Sequence, residues 1–193
     1  SAILIFVPFV NKGESKVSGV DFDFGYRWTI QNAGRLRADL HWTRTSKFEV
    51  TDAGVTTDYA GTHGNCDVSN CIGTPKDKAN LALTFDTSTF GVTATMNWRS
   101  SLKNTASKQD DTCLQQLADG SDANGCKLPS FYSVDLSGRW NLTRNLQLYA
   151  SIQNIFDKVA PIDTVTYGGI NYNPMDVAGA MGRFYQVGVK YSF

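Results

Sequence analysis

The residues able to do chemistry are few and, His41 apart, fall outside the regular parts of the chain. Four cysteines form two local pairs, Cys66 with Cys71 and Cys113 with Cys126. Four cysteines allow three pairings. Pairing within each segment is the simplest, and disulfides imply an oxidising compartment. The alternative, a zinc site, needs four soft ligands to converge, and the Cys66–Cys71 spacing is a loose match to zinc spacing. Of the two histidines, His41 stands beside Arg35, Arg37 and Asp39, and His63 near Tyr59. The plain reading makes His41 a polar wall residue and His63 a solvated loop residue; the sharper one has His63 catching haem or a metal. A later segment carries Tyr167, Gly168, Gly169, Tyr172, Asn173 and Pro174. Its rings could stack on a ligand or pack the segment on itself. No nucleophile–base pair, phosphate loop or metal-ligand cluster stands out, so neither an enzyme nor a cofactor is expected.

Composition narrows what could position these groups. The chain has 193 residues, enough for one domain, and its 18 basic and 18 acidic residues cancel. No nucleic-acid footprint appears. Glycines number 17 and prolines 5, which suits many strands joined by tight turns. The mean hydropathy of −0.26 argues against a helical membrane protein only. A barrel of alternating strands with polar loops averages out hydrophilic. The longest apolar run, residues 2–10, is far short of the roughly 20 residues a membrane helix needs. The opening "SAILIFVPFV" does not read as a signal peptide, so an exported protein would be present as a mature chain or a fragment.

The dominant signal is period two. In residues 17–30, "VSGVDFDFGYRWTI", Val20, Phe22, Phe24, Tyr26, Trp28 and Ile30 share one face and Asp21, Asp23 and Arg27 the other. The pattern recurs in 35–43, 78–86, 90–99, 132–142, 146–154 and the last ten residues, where Tyr185, Val187, Val189, Tyr191 and Phe193 alternate with polar positions. Tyr149 sits on the polar side, and Arg44 and Arg183 break parity just outside their spans. Residues 2–10 count as an eighth strand without clear register, because both faces are apolar and Pro8 interrupts them. Short turns at 31–34, 87–89 and 143–145 mark one end; the long polar segments 44–77, 100–131 and 155–183 all fall at the other, with 11–16 a shorter loop beside them.

Alternation alone does not say which face looks inward. Short turns at one end and long loops at the other is the pattern of outer-membrane barrels. Aromatic girdles give a second test. With the long loops outside, Trp42, Trp98, Tyr132 and Tyr185 fall at outer strand ends. Trp28, Phe85, Phe90, Trp140, Tyr191 and Phe193 fall at inner ends. Leu40, Leu83, Ala94, Leu136 and Val189 lie between, with Phe22 and Phe24 as exceptions. The expectation is an all-β, antiparallel up-and-down transmembrane barrel segment of about eight strands, aromatic face to lipid and Asp21, Asp23 and Arg27 inward. The plain role for Asp21, Asp23, Arg27, Arg99, Asp135 and Arg139 is pairing across neighbouring strands. A complete eight-stranded barrel with a structural or adhesive role, and a soluble lipocalin-like barrel, are the alternatives.

The segment "YSVDLSGRWNLTRNLQLYASIQNIFDKVAP" followed by "GRFYQVGVKYSF" resembles the C-terminal end of TonB-dependent outer-membrane receptors. The matching positions are Asn154, Ile155, Phe156, Asp157, Lys158 and Pro161, then Gly182, Arg183 and the final Phe193, with Ile155 where the family usually has Leu. Upstream, "NKGESKVSGVDFDFGYRW" resembles the family's Asn-x-Gly…Gly-Val-Glu strand, with Asp21 for Glu. The resemblance implies a piece of a barrel of about 22 strands closed by an N-terminal plug. Residues 1–193 would be its C-terminal part, without the plug and the N-terminal strands. It further implies a Gram-negative outer membrane and import of a scarce nutrient (ferric siderophore, haem, cobalamin or glycan) with energy from TonB through the plug. Tyr59, His63, Tyr167 and Tyr172 would then be ligand-contacting candidates. The alternation Tyr185, Val187, Val189, Tyr191, Phe193 would be the signal read by the barrel assembly machinery.

Overall fold

The computed structural model describes residues 13–64, 68, 71–104, 126–167 and 169–193. Eleven strands are named: β1 (Gly13–Ile30), β2 (Gly34–Asp52), β3 (Val55–Asp58), β4 (Thr62–His63), β5 (Asp77–Asp86), β6 (Phe90–Arg99), β7 (Leu102–Asn104), β8 (Lys127–Leu128), β9 (Phe131–Asn141), β10 (Leu146–Gln153) and β11 (Phe184–Tyr191). The main sheet runs β1-β2-β5-β6-β9-β10-β11, antiparallel throughout, with β3 added beside β2. All seven alternating segments form strands of this sheet. The eighth expected strand, residues 2–10, lies outside the described residues. The described sheet is open, with β1 and β11 as its edges.

Register carries the alternation across the whole sheet. One row reads Tyr26, Ala38, Leu83, Ala94, Leu136, Ile152 and Tyr185, one residue from each of seven strands. The row beside it on the other face contains Thr84, Thr93 and Ser137. The apolar face has no protein layer over it: Phe24, Tyr26, Trp28, Leu83, Trp140, Val187 and Val189 are all exposed. The exception Tyr149 has a local cause. Its register partner is Gly188, and a Cβ there would lie 2.1 Å from the Tyr149 ring, so the ring lies over the bare glycine.

The short-turn end is closed by threonine hydroxyls. Thr87 Oγ1 accepts from the amides of Thr89 and Phe90, and Thr143 Oγ1 accepts from those of Asn145 and Leu146. The other end is more structured than expected. Residues 44–52 continue β2 instead of looping. A two-residue turn, Ala53 (φ 50°) and Gly54 (φ 81°), then sends the chain back as β3. Pairing shifts between Ser18 and Gly19, leaving Ser46 as the extra residue on β2. Beyond this bulge the faces of β2 reverse; Arg44 lies just before it, still in register with Val20, where it pairs with Asp77 at 3.2 Å. Glu14, Lys16, Lys47 and Glu49 now occupy the side that is aromatic below, in pairs of 3.2 Å (Lys16–Glu14 and Lys47–Glu49).

The other long segments are not structureless either. β4, β7 and β8 form a separate three-stranded sheet. Residues 155–183 hold two short helices, α1 (Thr164–Tyr167) and α2 (Val177–Met181), with a 3₁₀ turn, Pro174–Asp176, before α2. The buried hydrophobic cluster of the described residues is here, in Leu102, Leu128 and Tyr167, with Cys71 and Met175 against it. A buried ion pair pins this cap to the wall. Arg99, at the end of β6, gives Nε to Asp176 Oδ1 at 2.8 Å and Nη2 to Asp176 Oδ2; its Nη1 donates to the carbonyls of Ser100 and Pro129 at 3.0 and 2.9 Å. Removing one partner of such a pair strands the other charge, at a cost of about 3–5 kcal/mol. Asp176→Ala is therefore expected to speed amide hydrogen exchange in residues 173–182 by on the order of 100-fold, leaving β5 and β6 unchanged. Unchanged exchange in 173–182 would show that Arg99 does not hold the cap.

Candidate functional site

Two arrangements of polar side chains could carry function: a hub inside the cap, and the polar face of the sheet beneath it.

The hub joins segments far apart in sequence. His63, on β4, is fully buried. Its Nδ1 lies 3.6 Å from Asp163 Oδ2 and 3.4 Å from the Tyr167 hydroxyl, and the His63 and Tyr167 rings stack with centroids 5.9 Å apart. Asp163 caps α1 through Thr166 N at 2.9 Å. The Tyr167 hydroxyl donates to the Cys71 carbonyl at 2.9 Å, and Asn173 Nδ2 donates to the Ile72 carbonyl at 2.7 Å and to Tyr167 Oη at 2.8 Å. Burial, reinforced by the Asp163 charge, pushes the Tyr167 phenol well above its ordinary range, so it stays a neutral donor.

These contacts sort the candidates. His63 is not a solvated loop residue, since Tyr167 and Asp163 enclose it. Tyr167 is 8% exposed, and its hydroxyl is used within the chain. The Tyr59 ring meets that of Phe48 at a tilt of 60°, centroids 6.2 Å apart, and Tyr172 forms a β-bridge with Ile162; both stay partly exposed. Cys71 and Cys126 lie in the cap, while Cys66 and Cys113 fall outside the described residues, as do Gly168 and both expected pairings. Tyr185, Val187, Val189, Tyr191 and Phe193 are all exposed, the first four along edge strand β11 and Phe193 just beyond it.

The sequence reading missed how the last segment is tied at both ends. Asn154 and Asp157 adopt positive φ, 49° and 51°, a conformation that asparagine and aspartate tolerate best after glycine. Asn154, fully buried, donates Nδ2 to the carbonyls of Lys158 and Ala178 at 3.0 Å and accepts from Lys158 N at 2.9 Å. Asp157 accepts from Arg183 N at 2.9 Å. The Asn154–Asp157 spacing was visible as a family-like signature; its physical job, closing the loop on itself, was not.

The polar face is a ladder of cross-strand contacts. Thr43 donates to Asp21 at 2.7 Å, His41 pairs with Asp23, and Asn80 donates to Asn97 at 2.6 Å. Asp86 pairs with Arg35 at 3.2 Å and with Arg139. The expected strand-to-strand pairing holds for Asp21 and Asp23. Arg99 reaches the cap instead, Asp135 accepts from Asn154 N at 2.8 Å, and Arg139 spans β6. Between the ladder and the cap lies a cavity of about 500 Å³, lined by His41, Lys78, Asn97, Arg99, Met175 and Asp176 among others. It offers donors and acceptors over a largely carbon surface.

No curated protein sequence matches the chain. Among solved structures, a variant of the ferric enterobactin receptor PfeA from Pseudomonas aeruginosa superposes with a TM-score of 0.54 at 18% identity, over 93% of this chain and 22% of its own. A second variant, in complex with enterobactin, gives 0.54 at 19%, over 93% and 23%. The chain thus spans about a fifth of the length of these receptors, and the likeness shows the fold. The family model described as TonB dependent receptor-like, beta-barrel, matches residues 4–155. The chain belongs to the TonB-dependent receptor family, as part of its β-barrel.

Proposed function

We propose that this chain is the C-terminal wall of a receptor in a Gram-negative outer membrane. That receptor imports a scarce nutrient, such as a ferric siderophore, haem, cobalamin or a glycan, with energy relayed by TonB. The carrying observation is the apolar face, which presents exposed side chains on every strand of the sheet but β2 and is free of charge between the girdles. Water would oppose such a surface; hydrocarbon would not. On this reading the edges of β1 and β11 pair with further barrel strands, and a plug fills the space over the polar face. TonB acts through that plug. Tyr59 and Tyr172 contact the nutrient at the outer rim, while His63 and Tyr167 hold the cap in shape. Disulfides at Cys66, Cys71, Cys113 and Cys126 brace the cap, lowering the ordering cost of binding. The barrel assembly machinery reads β11 through Phe193.

Two measurements test the orientation and setting. In phospholipid vesicles, Leu83→Lys is expected to lower stability by about 2–4 kcal/mol, as a lysine near the bilayer midplane does, and Thr95→Lys, on the polar face, by less than about 1 kcal/mol. Urea midpoints read both, and the opposite order would turn the sheet inside out. Expressed alone, residues 1–193 are expected to be insoluble without detergent, because both edges and the apolar face are open. Monomeric behaviour in plain buffer would defeat the membrane reading.

A further inference from the structure

The inner end of the polar face, next to the short turns, carries uncompensated positive charge. A cavity of about 470 Å³ there is lined by Arg27, Arg35, Arg37, Asp86 and Arg139, with Thr84 between them. Asp86 is shared between Arg35 and Arg139. It reaches Arg139 across β6 only because the intervening residue is Gly91: a Cβ there would lie 2.7 Å from Asp86 Oδ1 and 3.0 Å from Arg139 Nε. Arg37 pairs with Asp39 at 2.6 Å. Arg27 has no carboxylate partner among the described residues. Its register partner on β2 is Arg37 itself. Two like charges directly opposite in an antiparallel pair destabilise it. Four guanidiniums thus face two carboxylates, with the deficit greatest between Arg27 and Arg37.

We propose that this patch docks an acidic polypeptide segment, whose carboxylates insert between Arg27 and Arg37 and extend toward Arg139. Guanidinium forks match carboxylates two bonds at a time. The extent of the patch selects a polypeptide over a small anion. Arg27 lies on β1 and Arg139 on β9, four strand spacings apart in the sheet. At about 4.8 Å each that is about 19 Å, wider than any single oxyanion and comparable to a short run of side chains. The proposal rests on the receptor reading, in which protein occupies the space over this face.

The test uses the whole chain refolded in detergent and fluorescein-labelled hexaglutamate, read by anisotropy, with inorganic phosphate as competitor. Hexaglutamate is expected to bind, to weaken as salt rises, and to lose at least about tenfold in affinity in the Arg27→Gln, Arg37→Gln double variant. Thr95→Gln, higher on the same face, leaves it unchanged. Arg27→Gln alone is also expected to raise the urea midpoint without hexaglutamate, since it relieves repulsion. Absence of binding, indifference to the double variant, or a lowered midpoint in Arg27→Gln would overturn the proposal. Phosphate displacing the peptide at equal concentration would make this a small-anion site instead. A chain soluble without detergent would defeat the receptor reading whatever hexaglutamate does.

Discussion

Everything in this structure depends on strict two-residue periodicity held in one register across seven strands. Side chains alternate faces, so a slip of one residue in any pair would carry a whole strand's charges onto the apolar side. Arg37, Asp39 and His41 would then stand in the row now filled by Ala38, Leu40 and Trp42. No interaction inside the sheet would offset that, because the apolar face has no protein layer over it. Register is therefore fixed by the environment of the two faces as much as by the hydrogen-bond ladder. The one register shift of the β1–β2 pair, at Ser46, lies where the aromatic face ends. Beyond it Lys16 and Glu49 stand on the side that is aromatic below, and the constraint is gone.

The sheet and the cap are stabilised by different means. The sheet has no core of its own, and its strands are fixed by backbone pairing and by whatever covers the apolar face. The cap is built like a small water-soluble fold, with a buried apolar cluster and a network of buried polar side chains. Its buried Asn154, Asn173 and Asp176 each replace a missing stretch of regular structure by satisfying backbone amides or carbonyls, or a guanidinium. The Arg99–Asp176 pair is the joint between the two regimes. It lets a segment about thirty residues long return to the wall at a defined point, and so fixes the roof of the cavity lined by His41 and Asn97.

How much of this was legible in the sequence follows from the same division. Each strand of the sheet announces itself, because alternation is a local pattern and the face it defines is continuous. Tyr149 looked like an error of parity and proved to be a ring over Gly188, a relation between strands that no single segment displays. The extension of β2 to Asp52 was hidden because Arg44 and Ser46 interrupt the apolar positions, and the bulge at Ser46 then puts Phe48 and Val50 on the opposite face from Leu40 and Trp42 although their spacing in sequence is still even. The cap was legible only as a set of polar segments. His63 and Tyr167 were singled out for their chemistry, yet they meet each other across about a hundred residues. Partners set by tertiary contact leave no periodic trace. Asn154 and Asp157 are the middle case: the spacing was visible, the loop closure it performs was not.

Charge along the polar face is graded in a way that composition conceals. The chain is neutral overall. On the outer half of the face, Asp21 and Asp23 are answered by Thr43 and His41, and Arg99 by Asp176. On the inner half, Arg27, Arg35, Arg37 and Arg139 outnumber Asp39 and Asp86. A wall built only to be solvated would have no reason to place Arg27 opposite Arg37, since Arg27 would gain from an acidic residue in that position at no cost in packing. An arginine without a carboxylate, set opposite a second arginine in an otherwise well-matched ladder, is what a surface looks like when its complement belongs to another element. On the proposed function the outer half, whose acidic groups already have partners, is the part left to meet a ligand by shape and hydrogen bonding more than by charge.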